Sequence, residues 1–292
     1  MLMLKMNHSD KDIQMKNFDA WIGKKEIYDD FSDTRPVAMM QALLNQTEKQ
    51  LAELPYLYHW FYFLPIVNAE DLAEDGHPQK GGFLPPIPFP KRMWAGGRLQ
   101  FLKPIVVKQN IRRESEIVKI ELKHGKSGDM YFVTVKHSIF AEDELAIIEE
   151  QDIVYREVSN QIATKKPDSA KPVTAKPYSY KKQFPIDTVS LFRYSALTFN
   201  GHKIHYDRPY ATQKEGYPGL VVHGPLLATL LLHTFTQEHP EQEVASFEFR
   251  ALNPLFDFNE FFICGDVHTQ DGELWIEKTD GQLTMQAKVT FK

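Results

Sequence analysis

The last strand-like segment of the chain shows the clearest alternation of apolar and polar residues. Polar side chains occupy positions 284, 286, 288 and 290, and the apolar residues between and around them are Leu283, Met285, Ala287, Val289 and Phe291. This period of two predicts a β-strand with one buried face. A similar alternation at 246–251 predicts another strand, and Asp271-Gly272 and Asp280-Gly281 are typical of hairpin turns.

A different pattern precedes these strands. Residues 226–237 (LLATLLLHTFTQ) are apolar on nearly every side, which predicts a helix enclosed by other elements. Pro225 is suited to its first turn, where a missing N–H leaves no hydrogen bond broken. An apolar-periodic run at 189–200 (VSLFRYSALTFN) comes before it.

The first half of the chain repeats this order more loosely. A helix is predicted at 36–54, and strand-like runs follow at 98–102, 117–122, 130–140 and 152–156. The residues therefore predict an α+β architecture in which one helix packs on an antiparallel sheet, twice.

A segment rich in Lys and Pro separates the two halves. Residues 159–183 hold six Lys and three Pro and almost no bulky aliphatic side chains, which is typical of a linker. We predict an N-terminal domain at 1–158 and a C-terminal domain at 184–292. The alternative for this basic tract is that it binds the phosphates of a ligand.

Composition narrows the classes of function. With 34 Lys+Arg against 39 Asp+Glu, the net charge is −5, so nucleic acid and anionic membrane are not expected partners. The single Cys264 excludes a disulfide framework within the chain. The richest apolar stretch, 219–232, is too short to span a bilayer, and the first twelve residues lack the pattern of a secretory signal. We expect a cytoplasmic protein.

The densest set of chemically active residues lies at 193–224. It contains Asn200, His202, His205, His223 and Gly224. A histidine with an ordinary pKa near 6.5 needs only a modest shift to exchange protons near pH 7, and an asparagine amide can hold water but cannot take its proton. The N–H at the start of the predicted helix is a donor with no partner inside that helix.

This segment resembles the MaoC-like (R)-specific enoyl-thioester hydratases and dehydratases. Their signature is Asp-x-Asn-Pro-x-His, followed about eighteen residues later by His-Gly at the start of the central helix. Here NGHKIH (200–205) and His223-Gly224 take these places, with Asn200 where most of the family has Asp. The whole chain also resembles a two-domain subgroup, which includes itaconyl-CoA and mesaconyl-CoA hydratases and type 2 hydroxyacyl-thioester dehydratases. In the first half this resemblance rests on four stretches: HWFYFLP (59–65), GHPQKGGFLPP (76–86), RMWAGGRL (92–99) and EEQDIVYRE (149–157).

The resemblance implies a double hot-dog fold, in which two helix-on-sheet domains join edge to edge into one continuous sheet. It implies reversible hydration of an enoyl-CoA with a short branched or dicarboxylic acyl group. His205 would be the acid and base, Asn200 would position water, and the Gly224 N–H would polarise the thioester carbonyl. The predicted substrate-binding residues are His202, His223, Trp94, Gly97 and Arg98. No redox or metal cofactor is implied, CoA comes with the substrate, and homo-oligomerisation stays open.

The segment 75–98 is rich in Gly and Pro, and we predict an irregular loop over the acyl pocket. Its apolar residues would cover that pocket, with Trp94 selecting among acyl groups. The alternative is a loop that caps a sheet edge or a subunit interface.

Other functions stay open at this point. His202 and His205 would make a metal pair, but the sequence shows no third ligand at a suitable spacing. Hot-dog folds also include thioesterases, although these usually need a carboxylate that Asn200 does not supply. The missing Asp also fits a subunit that binds an acyl thioester without catalysis.

Overall fold

The computed structural model describes residues 18–125, 128–157 and 177–292. Within them, ten strands form one sheet in the order β1-β3-β4-β5-β2-β7-β10-β9-β8-β6, and every neighbouring pair is antiparallel. The strands are β1 (Lys25–Phe31), β2 (Lys91–Phe101), β3 (Asn110–Gly125), β4 (Gly128–Ala141), β5 (Glu144–Arg156), β6 (Tyr180–Gln183), β7 (Val244–Ala251), β8 (Phe261–Val267), β9 (Asp271–Lys278) and β10 (Leu283–Phe291).

The part of the chain that the structure describes contains three α-helices beside this sheet: α1 (Thr34–Leu43), α2 (Thr188–Leu197) and α3 (Gly224–Glu238). The predicted central helix is confirmed as α3, with Pro225 in its first turn. Its side chains are enclosed on nearly all sides by the main core, which explains a helix without a polar face; the buried ones are Leu226, Leu227, Ala228, Thr229, Leu230, Leu231, Leu232 and Phe235.

The two halves meet where β2 pairs with β7. Gly97 lies opposite Phe249 and Leu99 opposite Phe247, so the two half-sheets form one continuous sheet as predicted. A Cβ on Gly96 would lie 2.5 Å from the Phe249 carbonyl oxygen. Glycine at this position therefore permits the two backbones to approach closely.

The structure corrects three predicted boundaries. The first helix ends at Leu43 rather than near residue 54, because Asn45 adopts a left-handed φ of 54° that stops the helix. Residues 91–98 belong to β2, so the irregular segment ends earlier than expected. The glycines that suggested a loop there mark a close strand contact instead.

The third correction concerns the linker. Its last four residues, Tyr180–Gln183, form β6 and pair with β8 at the edge of the sheet. Lys181 lies over the Phe262 ring and forms an ion pair with Glu277, which explains lysines in a strand. Most of the predicted linker, 159–176, lies outside the described residues.

The apolar part of the segment 75–98 has a different role from the one expected. Ile87 and Phe89 are buried in a second apolar cluster with Phe18, Tyr131 and Tyr155, and Phe83 and Leu84 pack against it. These groups therefore cover the first-half sheet, and the prediction that they cover an acyl pocket is wrong. Cys264 is fully buried, as predicted. No helix in the described ranges is long and apolar enough to cross a membrane.

Candidate active site

A tight loop after α2 carries the first group of candidate residues. Phe199 adopts a left-handed φ of 49°, and the Asn200 N–H donates to the Ser195 carbonyl at 2.8 Å. The side-chain oxygen of Asn200 accepts from the His202 N–H at 3.0 Å. Because this oxygen is engaged locally, the NH2 of the Asn200 amide is the part that can donate to a ligand.

His205 is held in one tautomer. It is buried, and its Nδ1 donates to the Val221 carbonyl at 2.7 Å, so Nε2 is the nitrogen that can accept a proton. Burial lowers the pKa of His205 to about 4, and the charge of His77 also lowers it, although the Val221 hydrogen bond acts in the opposite direction. The modest shift expected from the sequence is therefore wrong, and His205 is neutral at pH 7.

His223 lies directly against His205. The two rings stack with centroids 3.7 Å apart and planes 19° apart. The Nε2 of His223 hydrogen-bonds to the buried Ser195 hydroxyl at 2.8 Å, and burial lowers the pKa of His223 well below its usual value. This contact fixes the ring at the N-cap of α3.

Gly224 is the first residue of α3, so its N–H has no acceptor within the helix. No described side chain or backbone carbonyl accepts from it either. The Trp94 carbonyl oxygen lies 3.7 Å from the position that a Cβ on Gly224 would take. A free donor at the positive end of a helix thus lies beside the stacked histidines and can stabilise a developing negative charge.

A loop from the first half completes this region. It belongs to the segment 75–98, for which the sequence predicts an irregular functional loop but not a contact with residues 201–203. The backbone of Gly76 touches that of Gly201, and the Lys203 N–H donates to the Asp75 carbonyl at 2.9 Å. The loop brings the His77 ring to 4.1 Å from that of His202, between centroids. The segment 76–86 supported a resemblance, but no pattern within it indicates that it reaches this site.

Asp75, His77 and His202 form a potential ligand set. Their ligand atoms all lie within 4.8 Å of one another. Asp75 accepts from His77 Nδ1 at 2.9 Å, and although burial would raise the pKa of Asp75, the hydrogen bonds and charge of His77 hold it well below its usual range. The sequence predicts no third ligand beside His202, and this is wrong, since Asp75 and His77 come from the other half of the chain.

The remaining predicted binding residues lie on β2. Trp94 packs against Trp60 and Phe249 and lines a cavity in the first half of the chain. Gly97 is buried against the Phe249 ring, and Arg98 forms ion pairs with Glu150 at 2.9 Å and Asp152 at 2.7 Å across the sheet. The structure brings Trp94 to the site but places Gly97 and Arg98 in contacts within the sheet.

Comparison with known proteins identifies the family of this chain. The family model for hydroxyacyl-thioester dehydratase type 2 matches residues 57–257. The chain belongs to this family. It is 43% identical over 273 residues to the mesaconyl-C(4)-CoA hydratase of Chloroflexus aurantiacus, covering 92% of this chain and 96% of that protein.

Solved structures show the same fold. A MaoC-like dehydratase from Phytophthora capsici superposes with a TM-score of 0.69 at 11% identity, covering 94% of this chain and 99% of that one. A Mycobacterium tuberculosis protein described as having a double hotdog fold gives a TM-score of 0.54 at 13% identity, with coverage of 94% and 98%. The double hot-dog prediction is confirmed, and this dehydratase family member is an enzyme of the hydro-lyase class.

We predict that Gly201→Ala lowers turnover by about 100-fold, because a Cβ there would lie 2.6 Å from the Gly76 carbonyl oxygen and would push the two loops apart. Steady-state kinetics of the purified variant provide the measurement. Gly82→Ala is the matched control, since a Cβ at Gly82 meets nothing within 4 Å. Normal turnover in Gly201→Ala would show that loop docking is not needed.

The buried histidines predict how stability depends on pH. Burial lowers the pKa of six described histidines: His77, His137, His202, His205, His223 and His233. Below about pH 6.5 the unfolded chain binds protons that these folded histidines do not bind, so the folded state loses stability as pH falls toward 4.

We therefore expect the free energy of unfolding to fall between pH 7 and pH 5, with a slope approaching about 1.4 kcal/mol per pH unit for each histidine involved. Urea titrations at several pH values measure this slope. His137→Gln should reduce it, whereas the exposed control His268→Gln should not. Equal stability at pH 7 and pH 5 would contradict the prediction.

Proposed function

We propose that this enzyme catalyses the reversible hydration of an enoyl-CoA thioester, which is the dehydration of a 3-hydroxyacyl-CoA in the other direction. The observation that supports it most strongly is that His205 stacks on His223 and so lies near the Gly224 N–H, which follows His223 in the chain. One group is a neutral imidazole with a free Nε2, and the other is a free donor at a helix start. Hydration of a conjugated thioester needs such a base and such a donor.

His205 acts as the single base in this proposal. Its Nε2 takes a proton from water while the water oxygen bonds to the β-carbon of the acyl group. The electron pair of the double bond moves to the thioester oxygen, and the resulting enolate is held by the Gly224 N–H. His205 then returns the proton to the α-carbon, so water adds across the double bond and the enzyme is unchanged.

Asn200 positions the water in this scheme and transfers no proton. Its side-chain oxygen already accepts from His202, so the amide NH2 would donate to the water oxygen. This explains how a site with Asn in place of the family Asp can work, because His205 alone carries the proton in both steps. His202 and His223 support the His205 ring by contact.

The acyl group is proposed to be short and branched or dicarboxylic, as in mesaconyl-CoA or itaconyl-CoA. The 43% identity to a mesaconyl-C(4)-CoA hydratase over nearly the whole chain supports this assignment. CoA arrives as part of the substrate. A cytoplasmic location and a homo-oligomeric assembly stay predictions.

We expect His205→Ala to lower kcat for hydration by about 100- to 10,000-fold, the usual contribution of positioned acid–base catalysis. Loss of the conjugated enoyl absorbance provides the assay. Because His205 is buried, His205→Asn is a second variant that leaves a smaller cavity, and the exposed His268→Ala is the control. Near-normal turnover in a folded His205 variant would remove it from the mechanism.

The same assay, run beside a free-thiol assay, distinguishes the other functions. A thioesterase would release CoA thiol without consuming the double bond. A binding subunit would give neither signal while still binding the thioester.

We propose that the reaction needs no metal or redox cofactor, since all its proton transfers are assigned to His205 and water. Dialysis against EDTA should therefore leave kcat unchanged within about twofold. This test is informative because Asp75, His77 and His202 are placed so that they could hold a metal ion. Loss of turnover with EDTA, restored by a divalent metal ion in the wild type but not in His77→Ala, would contradict the proposal.

A further inference from the structure

A belt of polar side chains crosses the buried face of the first-half sheet. Ser115, His137 and Glu149 lie directly opposite one another on β3, β4 and β5. Two positions away along the strands, Ile139 and Ile147 on one side and Val135 on the other belong to apolar clusters, whereas Arg113 extends the belt along β3. Burying polar side chains at core-facing positions costs folding free energy unless they are hydrogen-bonded or paired.

The belt borders a cavity of about 120 Å³. Its walls include Arg113, His137, Glu149 and Trp94, and Thr198 closes it from the second half. Trp94 reaches Gly224 through its carbonyl, and Thr198 lies two residues before Asn200. Trp94 and Thr198 thus connect the cavity to the groups to which the proposed function assigns the chemistry. The cavity has room for only a few heavy atoms.

The carboxylate in this belt is already fully partnered. Glu149 is 1% exposed and accepts hydrogen bonds from His59 Nε2 at 2.9 Å, Trp60 Nε1 at 2.9 Å and Gln151 Nε2 at 2.8 Å. Although burial would raise the pKa of Glu149, the hydrogen bond and charge of His59 bring it down to about 2. Glu149 is therefore an anion whose oxygens are occupied.

The cation in the belt has no such partners. Arg113 lies between the rings of Tyr28 and Phe63, with its guanidinium carbon 5.2 Å and 5.3 Å from their centroids. Among the described residues no side chain or carbonyl hydrogen-bonds to it or forms an ion pair with it, and its Nε is buried without a partner. Three carboxylates, Glu26, Glu149 and Asp30, act on it only through their charge.

We propose that Arg113 binds a free carboxylate on the acyl group of the substrate. A guanidinium presents a planar pair of N–H donors that matches a carboxylate, and here those donors lack any other acceptor. Cation–π contacts with two aromatic rings restrict the guanidinium before the ligand arrives. The proposal rests on the proposed function and narrows its substrate class to dicarboxylic acyl-CoA.

The test compares two substrates that differ in one group. Mesaconyl-C4-CoA carries a carboxylate on its β-carbon, and 3-methylcrotonyl-CoA carries a methyl group in its place. We expect Arg113→Met to lower kcat/KM at least about 100-fold for the first, mainly through KM, and to change the second by less than about threefold. Arg112→Gln is the matched control, because Arg112 directly precedes Arg113 on β3 and already forms an ion pair with Glu114. Equal losses on both substrates would show a structural role and overturn the proposal.

A second measurement needs no variant, so a folding defect cannot obscure the answer. Succinyl-CoA and butyryl-CoA are saturated analogues that differ by the same exchange of carboxylate for methyl. Succinyl-CoA should inhibit the wild-type enzyme at least about tenfold more strongly, and equal inhibition would overturn the proposal. If the enzyme hydrates no enoyl-CoA, the proposed function itself fails; if it hydrates both substrates equally, only the carboxylate site fails.

Discussion

Strands β2 and β7 pair along the middle of the sheet, and this pairing determines where every other part of the site lies. Gly96 and Gly97 allow the two backbones and the Phe249 ring to come together, and the register then places Trp94 at the end of the shared segment. From there its carbonyl faces the start of α3, while its ring lines the cavity of the first half. Trp94 is therefore one residue that lies beside both Gly224, the proposed oxyanion donor, and the cavity of the first half.

Low polarity around the histidines is the second determinant of the chemistry. A histidine in water is half protonated near pH 6.5, but His205 and His223 are buried and stacked, so neither is charged at neutral pH. The Val221 carbonyl then decides which nitrogen of His205 is free. Burial and the fixed tautomer therefore leave Nε2 of His205 unprotonated at neutral pH, which is the state that the proposed base requires.

The sequence was sufficient to predict the elements that are determined by a local pattern of residues. The alternation at 283–291 and the apolar run at 226–237 predicted β10 and α3, and the motif at 200–205 with His223-Gly224 predicted residues that do lie together. Prediction from the sequence failed at positions where the residue type is explained by a contact with a distant part of the chain. Gly96 looked like part of a loop because the approaching Phe249 backbone is more than 150 positions away, and His77 carried no sign that Gly76 docks on Gly201.

The same limit applies to the polar belt. Its residues come from separate strands and share no sequence motif: Arg113 lies on β3, His137 on β4 and Glu149 on β5. Only the register of the sheet places them around one cavity. Glu149 alone would be taken for a surface residue. Its three hydrogen-bond donors become visible only after folding.

The position of β2 also has a consequence for how this chain is made. During synthesis the first half leaves the ribosome before β7 exists, so β2 is then the outer strand of a five-stranded sheet with its hydrogen-bonding edge open. Such an edge invites pairing with the equivalent strand of another nascent chain. Gly96 and Gly97, which permit the close contact with β7 in the folded protein, also leave this edge without bulky side chains to protect it. Aggregation therefore competes most strongly with folding in the interval before the second half folds.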